Sequence, residues 1–393
     1  MKARSISLLV IAEIAAMALW FSSSAVLGDM ASEAPLSTAL SAALSSAVPA
    51  GFVLGALLVA ILGIADRFDP RRVFALSAFV AGLSNACLLL LEVGDVAAVL
   101  LRFITGACLA GVYPVGMKIA VGWGTRDRGL LVGLLVGGLT LGSAAPHLLA
   151  YIGGADWRLT IALTSLAAFI AAALVLLVKL GPHHGVATRF EPAAILLGWR
   201  DRNIRSAFLG YLGHMWELYA FWAWLSSALV VSYAMQADVQ DADSLAKLTT
   251  FIAIAAGALL CPVAGRYADR LGKARIAALA MLVSGTSALA AAWVFGGPVW
   301  LVFVVAVVWG MSVIPDSAQF SALIADYSPA DKAGSLMTMQ TALGFALTII
   351  TVQVTPVLAA VIGWPGLFVL LSLGPLFGIV SMLPLLRVKV ASH

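Results

Sequence analysis

Three acidic side chains lie deep inside long apolar segments of the sequence: Glu13, Glu217 and Asp316. If those segments cross a membrane, each charge costs about 2.5–3.5 kcal/mol and needs a partner, water or a chemical role. A carboxyl group at that depth can exchange a proton, because burial favours its neutral form and a nearby cation favours its charged form. The pattern therefore indicates proton exchange, or the binding of a polar solute in apolar surroundings.

Two of these acids belong to an internal repeat. A shift of 204 residues superimposes Glu13 on Glu217. Shifts of 203 or 204 superimpose three further features: Trp20 on Trp224, Asp66-Arg67 on Asp269-Arg270, and Asp127-Arg128 on Asp331-Lys332. Because separate segments agree on nearly one offset, we interpret the chain as two related halves. Parallel repeats with a site between them are typical of transporters.

The composition is that of a membrane protein. Of 393 residues, 62% are hydrophobic and 11% are charged, and the mean hydropathy is +1.04, whereas about a quarter of residues are charged in soluble proteins. Since a spanning helix needs about 20 apolar residues, we predict an all-α membrane protein with twelve transmembrane helices in the lipid bilayer. The predicted spans are about 5–28, 38–64, 73–92, 97–122, 129–152, 158–180, 206–234, 245–267, 275–295, 299–325, 333–357 and 364–386.

Basic residues give the predicted orientation. If the N-terminus is cytoplasmic, 19 of the 23 Lys and Arg residues lie on the cytoplasmic side, which is the excess that cytoplasmic loops carry. We therefore predict a multi-pass protein of the cytoplasmic (inner) membrane with both termini cytoplasmic. A polar linker, 181–205, separates an N-terminal six-helix bundle, 1–180, from a C-terminal six-helix bundle, 206–393.

Several other classes of protein are disfavoured. All three cysteines lie in apolar segments, so we expect neither a disulfide framework nor a thiolate metal site. There is no P-loop pattern and no spaced Cys/His cluster, and we expect no metal, no cofactor and no ATP-driven activity. The positive charge follows the membrane orientation, so we expect no nucleic-acid partner. No constellation of nucleophile, base and orienting residue suggests an enzyme.

Several motifs resemble those of the major facilitator superfamily. Segment 265–275, GRYADRLGKAR, resembles the cytoplasmic loop pattern G-x-x-x-D-R-x-G-[RK]-x-[RK] of that family. Segment 62–72 keeps the Asp-Arg pair but has Leu62 and Asp69 where the family has glycines. Arg102 begins an R-x-x-x-G pattern similar to that of the family's helix 4. The resemblance covers the whole chain and implies a transporter built from two pseudo-symmetric bundles.

The resemblance also implies a gate at the cytoplasmic loops, where acidic and basic side chains pair across helix ends. The candidate gating residues are Asp66, Arg67, Asp269, Arg270 and Arg275. The alternative is a solvated loop whose positive charge only sets the orientation.

In the resembled family, helices 1, 4, 7 and 10 line a central cavity, which implies one aqueous space for Glu13, Arg102, Glu217 and Asp316. Periodicity places His214 and Glu217 on one stripe of helix 7. Our hypothesis is that Glu217, with His214 one turn away, carries the coupling proton and that Glu13 assists or contacts substrate. The alternative is that the glutamates form fixed ion pairs with Arg102. The candidate substrate-binding residues are Arg102, Trp20, Trp224, Phe221, Tyr113, Asp316 and Gln319.

The function expected from these features is proton-coupled secondary active transport of a small organic solute by alternating access, performed by a monomer. The excess of deep acids favours a cationic or neutral amphiphilic solute. One alternative is an organic-anion transporter with Arg102 as the anion clamp. Another is a non-transporting membrane receptor or assembly protein with the same fold.

Overall fold

The computed structural model describes residues 1–124, 127–154, 156–183, 190–236, 239–329 and 331–387, apart from the side chains of residues 66 and 128. These ranges contain α-helices, one short 3-10 helix (Cys87–Leu90) and no strand. The helices are α1 Lys2–Met17, α2 Ser22–Ala25, α3 Leu27–Glu33, α4 Thr38–Ile61, α5 Ile64–Arg67, α6 Pro70–Ala86, α7 Ala97–Leu109, α8 Tyr113–Val121, α9 Arg128–Gly153, α10 Trp157–Val175, α11 Ala194–Arg200, α12 Arg202–Ala234, α13 Ala242–Leu271, α14 Lys273–Val294, α15 Val299–Ser312, α16 Ser317–Tyr327 and α17 Ala333–Leu386.

The helices have the length and composition of membrane spans. Within the described part of the chain, nine helical segments are long and apolar enough to cross a bilayer. The longest of them, α17, is interrupted at Gly363, whose φ of +71° is the left-handed conformation that glycine adopts without strain. The all-α membrane class predicted from composition is therefore confirmed.

Three of the predicted spans are broken helices. The first span, expected to run unbroken, is interrupted between Met17 and Ser22. The other breaks occur at prolines: α8 begins next to Pro114, and α15 and α16 are separated at Pro315. Proline removes a backbone donor and so disrupts the helical hydrogen-bond pattern. Broken helices leave carbonyl groups free for other partners.

Helix α9 joins the two halves through a face of small residues. A Cβ at Gly133 would lie 3.1 Å from the Cα of Pro262, and one at Gly137 would lie 3.0 Å from the carbonyl oxygen of Ala258. On the opposite side, a Cβ at Gly142 would lie 2.6 Å from the carbonyl oxygen of Ile14. Small residues let helix backbones approach closely. Helix α9 therefore packs tightly against both α13 and α1.

The two related loops lead into the next helix in different ways. In the second half, Gly272 precedes α14 with φ of +97°, which favours glycine. In the first half, Asp69 occupies the equivalent position with φ of −58° and caps α6, accepting a 3.0 Å hydrogen bond from the backbone N–H of Arg71. The Arg71 guanidinium also lowers the pKa of Asp69. The missing glycine is thus replaced by a side-chain cap.

Candidate functional site

Glu13 lies in a close-fitting apolar site in the first half. Its side chain is fully buried, and neither carboxyl oxygen has a hydrogen-bond partner among the residues that the structure describes. A Cβ at Gly116 of α8 would lie 2.7 Å from Oε2, so this glycine leaves the space that the carboxyl group occupies. Gly138 of α9 lies against the stem of the side chain. An unpaired carboxylate is very costly in such surroundings, and this geometry therefore suits the protonated form.

Glu217 is the repeat equivalent of Glu13, but its environment is polar. Its Oε1 accepts a 2.7 Å hydrogen bond from Nε1 of Trp309, and its Oε2 accepts a 2.9 Å hydrogen bond from the hydroxyl of Ser284. These donors belong to α15 and α14, so Glu217 links three helices of the second half. Two fixed donors stabilise a carboxylate, and the two glutamates thus differ in the support for their charge.

His214 lies one turn before Glu217 and pairs with Asp316. The Nδ1 of His214 is 2.9 Å from Oδ1 of Asp316, and both side chains are almost completely buried. The pair joins α12 to the break between α15 and α16. The Nε2 of His214 has no hydrogen-bond partner, so it remains available to another group.

Arg102 is fully buried and binds the interrupted first span. Its Nη2 donates to the carbonyl oxygens of Leu19 and Trp20 at 2.9 and 2.7 Å. Its Nη1 donates to the hydroxyl of Ser22 at 3.0 Å and to Oδ1 of Asn85 at 2.7 Å. All four acceptors are neutral. The guanidinium therefore occupies the carbonyl groups that the break in the helix leaves free.

Trp20 belongs to an aromatic cluster between the halves. Its ring centroid lies 5.0 Å from that of Phe52, 5.6 Å from that of Tyr219 and 5.4 Å from that of Phe345. The rings of Phe52 and Phe345 are 4.5 Å apart. Aromatic rings at these separations attract one another beyond simple burial. Tyr219 and Phe345 were not among the residues singled out from the sequence, since nothing in the sequence pairs distant rings.

Trp224 and Phe221 contact other parts of the second half. Trp224 donates a 3.0 Å hydrogen bond to the carbonyl oxygen of Val352 on α17. The ring of Phe221 lies 4.6 Å from that of Trp309. The face of α12 that carries Glu217, Phe221 and Trp224 therefore contacts α15 and α17. The structure does not bring the ring of Trp224 to the ring of Trp20.

Three further polar residues lie near these groups. Tyr113, half-buried, begins α8 one turn before Gly116, which contacts Glu13. Gln319 is 4% exposed in α16, next to the break at Pro315. Gln340 of α17 is 1% exposed, and neither atom of its amide group has a hydrogen-bond partner. Nothing in the sequence marked Gln340 as functional, because an amide side chain inside a helix more often forms hydrogen bonds with neighbouring residues.

A buried ion pair connects the halves at the end opposite Lys2, which we call the far end. The Nζ of Lys247 lies 2.7 and 2.8 Å from the carboxyl oxygens of Asp29, and 2.6 Å from Oδ2 of Asp243. The side chains of Lys247 and Asp29 are only 3% and 6% exposed. Toward the middle of the same interface, Ser46 donates a 2.6 Å hydrogen bond to Gln353. The sequence did not indicate the Asp29–Lys247 pairing.

A second, exposed ion pair at the far end stays within the first half. Glu33 accepts hydrogen bonds of 2.6 and 2.7 Å from the guanidinium of Arg158 and one of 2.8 Å from Nε1 of Trp157. The Arg158 guanidinium, together with Trp157, lowers the pKa of Glu33 to about 2. Solvent screening makes such a pair a weak source of stability, so it orients the loop rather than holding the fold.

The candidate gating residues lie at the end of the molecule that carries Lys2. The side chains of Arg67, Asp269, Arg270 and Arg275 are exposed, and the side chain of Asp66 lies outside the described residues. A Cβ at Gly129 would lie 3.5 Å from Oδ2 of Asp269. The Asp269 carboxylate therefore faces the first turn of α9, where the helix dipole favours a negative charge.

The described residues offer no metal site, since no three His, Cys, Asp or Glu side chains within those ranges are grouped closely enough to hold an ion. What the geometry does provide is a set of deeply buried polar groups in both halves, several of them on or next to broken helices. Such groups in membrane proteins mark solute and proton pathways.

Comparison with known proteins identifies the class. The family model of the Major Facilitator Superfamily matches residues 8–337 and 227–392, so the chain belongs to that family. A crystal structure of a variant of the nucleoside transporter NupG superimposes with a TM-score of 0.71 at 14% identity, covering 96% of this chain and 99% of that one. A POT family transporter in complex with a thioalcohol-conjugated peptide superimposes with a TM-score of 0.72 at 13% identity, covering 98% of this chain and 96% of that one. No curated protein matches the sequence.

The resemblance seen in the loop motifs is thereby confirmed. The chain is a multi-pass membrane protein with the transporter fold of this family, and the family and both solved relatives indicate a transporter rather than an enzyme.

Proposed function

We propose that this protein is a secondary active transporter that couples the movement of a small organic solute to protons by alternating access. The observation that supports this proposal is that Glu13 is fully buried and that its carboxyl group has no hydrogen-bond partner in the described part of the chain. Such a group is stable when protonated and costly when charged. The protonation state of Glu13 would therefore depend on whether water reaches the carboxyl group. Proton-coupled transport requires a group whose protonation changes in this way.

The proposal gives the two glutamates different roles. Glu217 already has two hydrogen-bond donors, Trp309 and Ser284, so its charge has fixed support in this state. Glu13 has none, and we therefore assign the coupling proton to Glu13 rather than to Glu217. In the second half, the His214–Asp316 pair contributes a second buried site for a proton or for a contact with the solute.

The proposed solute is neutral or cationic. The anion clamp would need Arg102, but four neutral acceptors already bind its guanidinium, and an anion would have to displace them. Asp316 and Glu13 instead offer carboxyl groups to a cation or a hydrogen-bond donor. The solved relatives, a nucleoside transporter and a transporter holding a peptide conjugate, also suit an organic solute.

The proposed architecture has twelve spans in two six-helix bundles, 1–180 and 206–393, with both termini cytoplasmic in the inner membrane. The repeat of Glu13 and Glu217 supports the division. The excess of basic residues at the end that carries Lys2 supports the orientation. In this orientation the far end faces outward, and the Asp29–Lys247 pair would help to close the outer side.

The proposal is tested with purified protein in proteoliposomes. An imposed pH gradient should drive accumulation of a solute found by binding screens, and substitution of Glu13 by Gln should abolish that accumulation while solute exchange continues. Glu217→Gln, the same substitution at the repeat-equivalent glutamate of the second half, is the matched control. Accumulation by the Glu13→Gln protein at the normal level would refute the assigned coupling role.

A further inference from the structure

Two buried polar side chains of the second half have hydrogen-bonding atoms without partners. Within the described ranges, neither Nε2 nor Oε1 of Gln340 on α17 has a hydrogen-bond partner, and the same holds for Nε2 of His214 on α12. Each side chain is 1% exposed. A buried donor or acceptor without a partner destabilises the fold, so such groups in native proteins call for a ligand, a water molecule or a functional explanation.

One residue of each helix borders the same side chain, Tyr211: His214 on α12 and Gly344 on α17. The rings of Tyr211 and His214 are 5.9 Å apart. A Cβ at Gly344 would lie 2.3 Å from Cε1 of Tyr211, so this face of α17 contacts the Tyr211 ring. Gln340 lies four residues before Gly344 and therefore projects from the same face, one turn away. His214 therefore lies beside Tyr211 on α12, and Gln340 lies one turn from the α17 residue that faces the same ring.

The surroundings determine what His214 can offer. Its Nδ1 lies 2.9 Å from Oδ1 of Asp316, so Nε2 is the ring nitrogen left for a ligand, and it is an acceptor in the neutral imidazole with the proton on Nδ1. The ring of Phe320 lies 5.7 Å from that of His214 and 5.8 Å from that of Tyr211. The site therefore combines flat ring surfaces with one acceptor from His214, and one donor group and one acceptor from Gln340.

We propose that Gln340 and His214 form a subsite for an amide edge of the transported solute, an adjacent N–H and C=O in a carboxamide or a ring amide. This inference rests on the proposed transport function and narrows its substrate class. The amide of Gln340 can donate to the C=O of the solute and accept from its N–H, while Nε2 of His214 accepts from a further donor. A carboxylate would bring only acceptors, and an amine only donors.

The first experiment tests the ligand class. Purified full-length protein is melted in the presence of two matched sets of compounds. One set is nicotinamide, its N,N-dimethyl amide, nicotinate and 3-(aminomethyl)pyridine, and the other is uracil and 1,3-dimethyluracil. Bound ligand raises the melting temperature by mass action. We expect stabilisation by an unmethylated amide in at least one set and its loss on methylation. Stabilisation by the acid or the amine alone, or by no compound, rejects the amide subsite.

The second experiment tests the residue. Gln340→Met keeps the length and removes the hydrogen bonds, and we expect it to weaken binding of the amide ligand at least tenfold, because sites that hydrogen-bond a polar group depend strongly on that bond. Thr338→Val on the same helix is the control, since its hydroxyl bonds only within α17. The melting temperature of each unliganded variant shows that it is folded.

The outcomes separate the two proposals. Unchanged amide binding by the Gln340→Met protein would refute the subsite and leave proton-coupled transport standing. If amide binding falls as expected but a pH gradient drives no accumulation, the subsite stands and the coupled mechanism fails.

Discussion

At the scale of single residues, the two repeated glutamates show how one side chain can acquire two environments. Glu13 packs against Gly116 and Gly138, whose lack of side chains makes room for it but supplies no donor. Glu217 meets an indole N–H and a hydroxyl group. Because these neighbours come from other helices, the difference arises from packing and not from the helix that carries each acid.

We expect an apolar substitution to destabilise the protein much more at Glu217 than at Glu13. Glu217→Leu should lower the free energy of unfolding by about 1–3 kcal/mol, because the indole N–H of Trp309 loses its buried acceptor, while Ser284 keeps the carbonyl oxygen of Met281. Glu13→Leu leaves no donor unpaired and should be far less costly. Thermal melting of both purified variants at one pH makes the comparison. Equal destabilisation by the two substitutions would contradict the contrast drawn between their sites.

The sequence located the buried acids but not their partners. Apolar context and the repeat were enough to single out both glutamates. Trp309 lies 92 residues from Glu217 along the chain, and Ser284 lies 67 residues away, so only the packing of helices brings them together. The unpaired amide of Gln340 could not be foreseen either, since a missing partner is a property of three-dimensional surroundings.

At the scale of helices, the interrupted first span and Arg102 form one unit. The break frees the carbonyl groups of Leu19 and Trp20, and the guanidinium binds both. In the second half, the equivalent helix α12 runs unbroken from Arg202 to Ala234. The offset of 201 that relates Pro114 to Pro315 places Phe303, which has no hydrogen-bonding group, at the position of Arg102. The half whose first span is interrupted is thus the half with the buried guanidinium.

Arg102→Leu should therefore destabilise the protein by about 2 kcal/mol or more, because buried carbonyl groups lose a charged donor. Arg102→Lys should recover part of that loss, since an ammonium group supplies fewer and less fixed donors. Phe303→Leu is the matched control and should have a small effect. The readout is the melting temperature together with KM. A large rise in KM without loss of stability would instead place Arg102 at the solute.

The cap of α6 gives a test of the loop that departs from the family pattern. Asp69→Ala should cost about 1 kcal/mol at pH 7, whereas Asp69→Gly should cost only a few tenths. The carboxylate contributes this stability because its pKa is lowered in the folded state. The contribution is complete above the unfolded value of 3.8 and disappears as the pH falls toward the folded pKa. Melting curves of both variants from pH 7 downward measure it.

At the scale of the whole molecule, the far end is held by charge and the middle by aromatic packing. Lys247 and Asp29 are buried between the halves, and the rings of Trp20, Tyr219 and Phe345 fill the space beneath them. In this state the two halves are therefore in contact at the far end and near the middle. A transporter that alternates its access must break the ion pair when it opens on that side.

We expect Asp29→Asn to weaken far-end closure, because Lys247 then loses its buried carboxylate partner and, within the described part of the chain, keeps the exposed Asp243. Spin labels on cysteines at positions 96 and 300, both exposed at the far end, should show a longer and broader distance distribution in this variant. The protein used for labelling has its native cysteines replaced, so that the labels attach only at these two positions. The swapped pair Asp29→Lys with Lys247→Asp should restore the shorter distance. An unchanged distribution in the Asp29→Asn protein would exclude a role in closure.

Much of this overall organisation could be predicted from the sequence. Hydropathy indicated the membrane class, and the loop motif at 265–275 indicated the family to which the chain belongs. The interruption of the first span could not be predicted, because it contains neither proline nor glycine between Met17 and Ser22. The carbonyl groups at the break bind Arg102, a partner on another helix, and long-range partners leave no periodic signal in the sequence.

The Asp29–Lys247 pair also bears on how the protein is made. Its members are 218 residues apart, so during synthesis Asp29 leaves the ribosome long before the helix that carries Lys247. Until that helix is inserted, the nascent first half presents a carboxylate without its buried cation, a feature that quality-control proteases and chaperones can recognise. A chain truncated before α13 should therefore be degraded quickly, and co-expression of the missing half should prolong its lifetime.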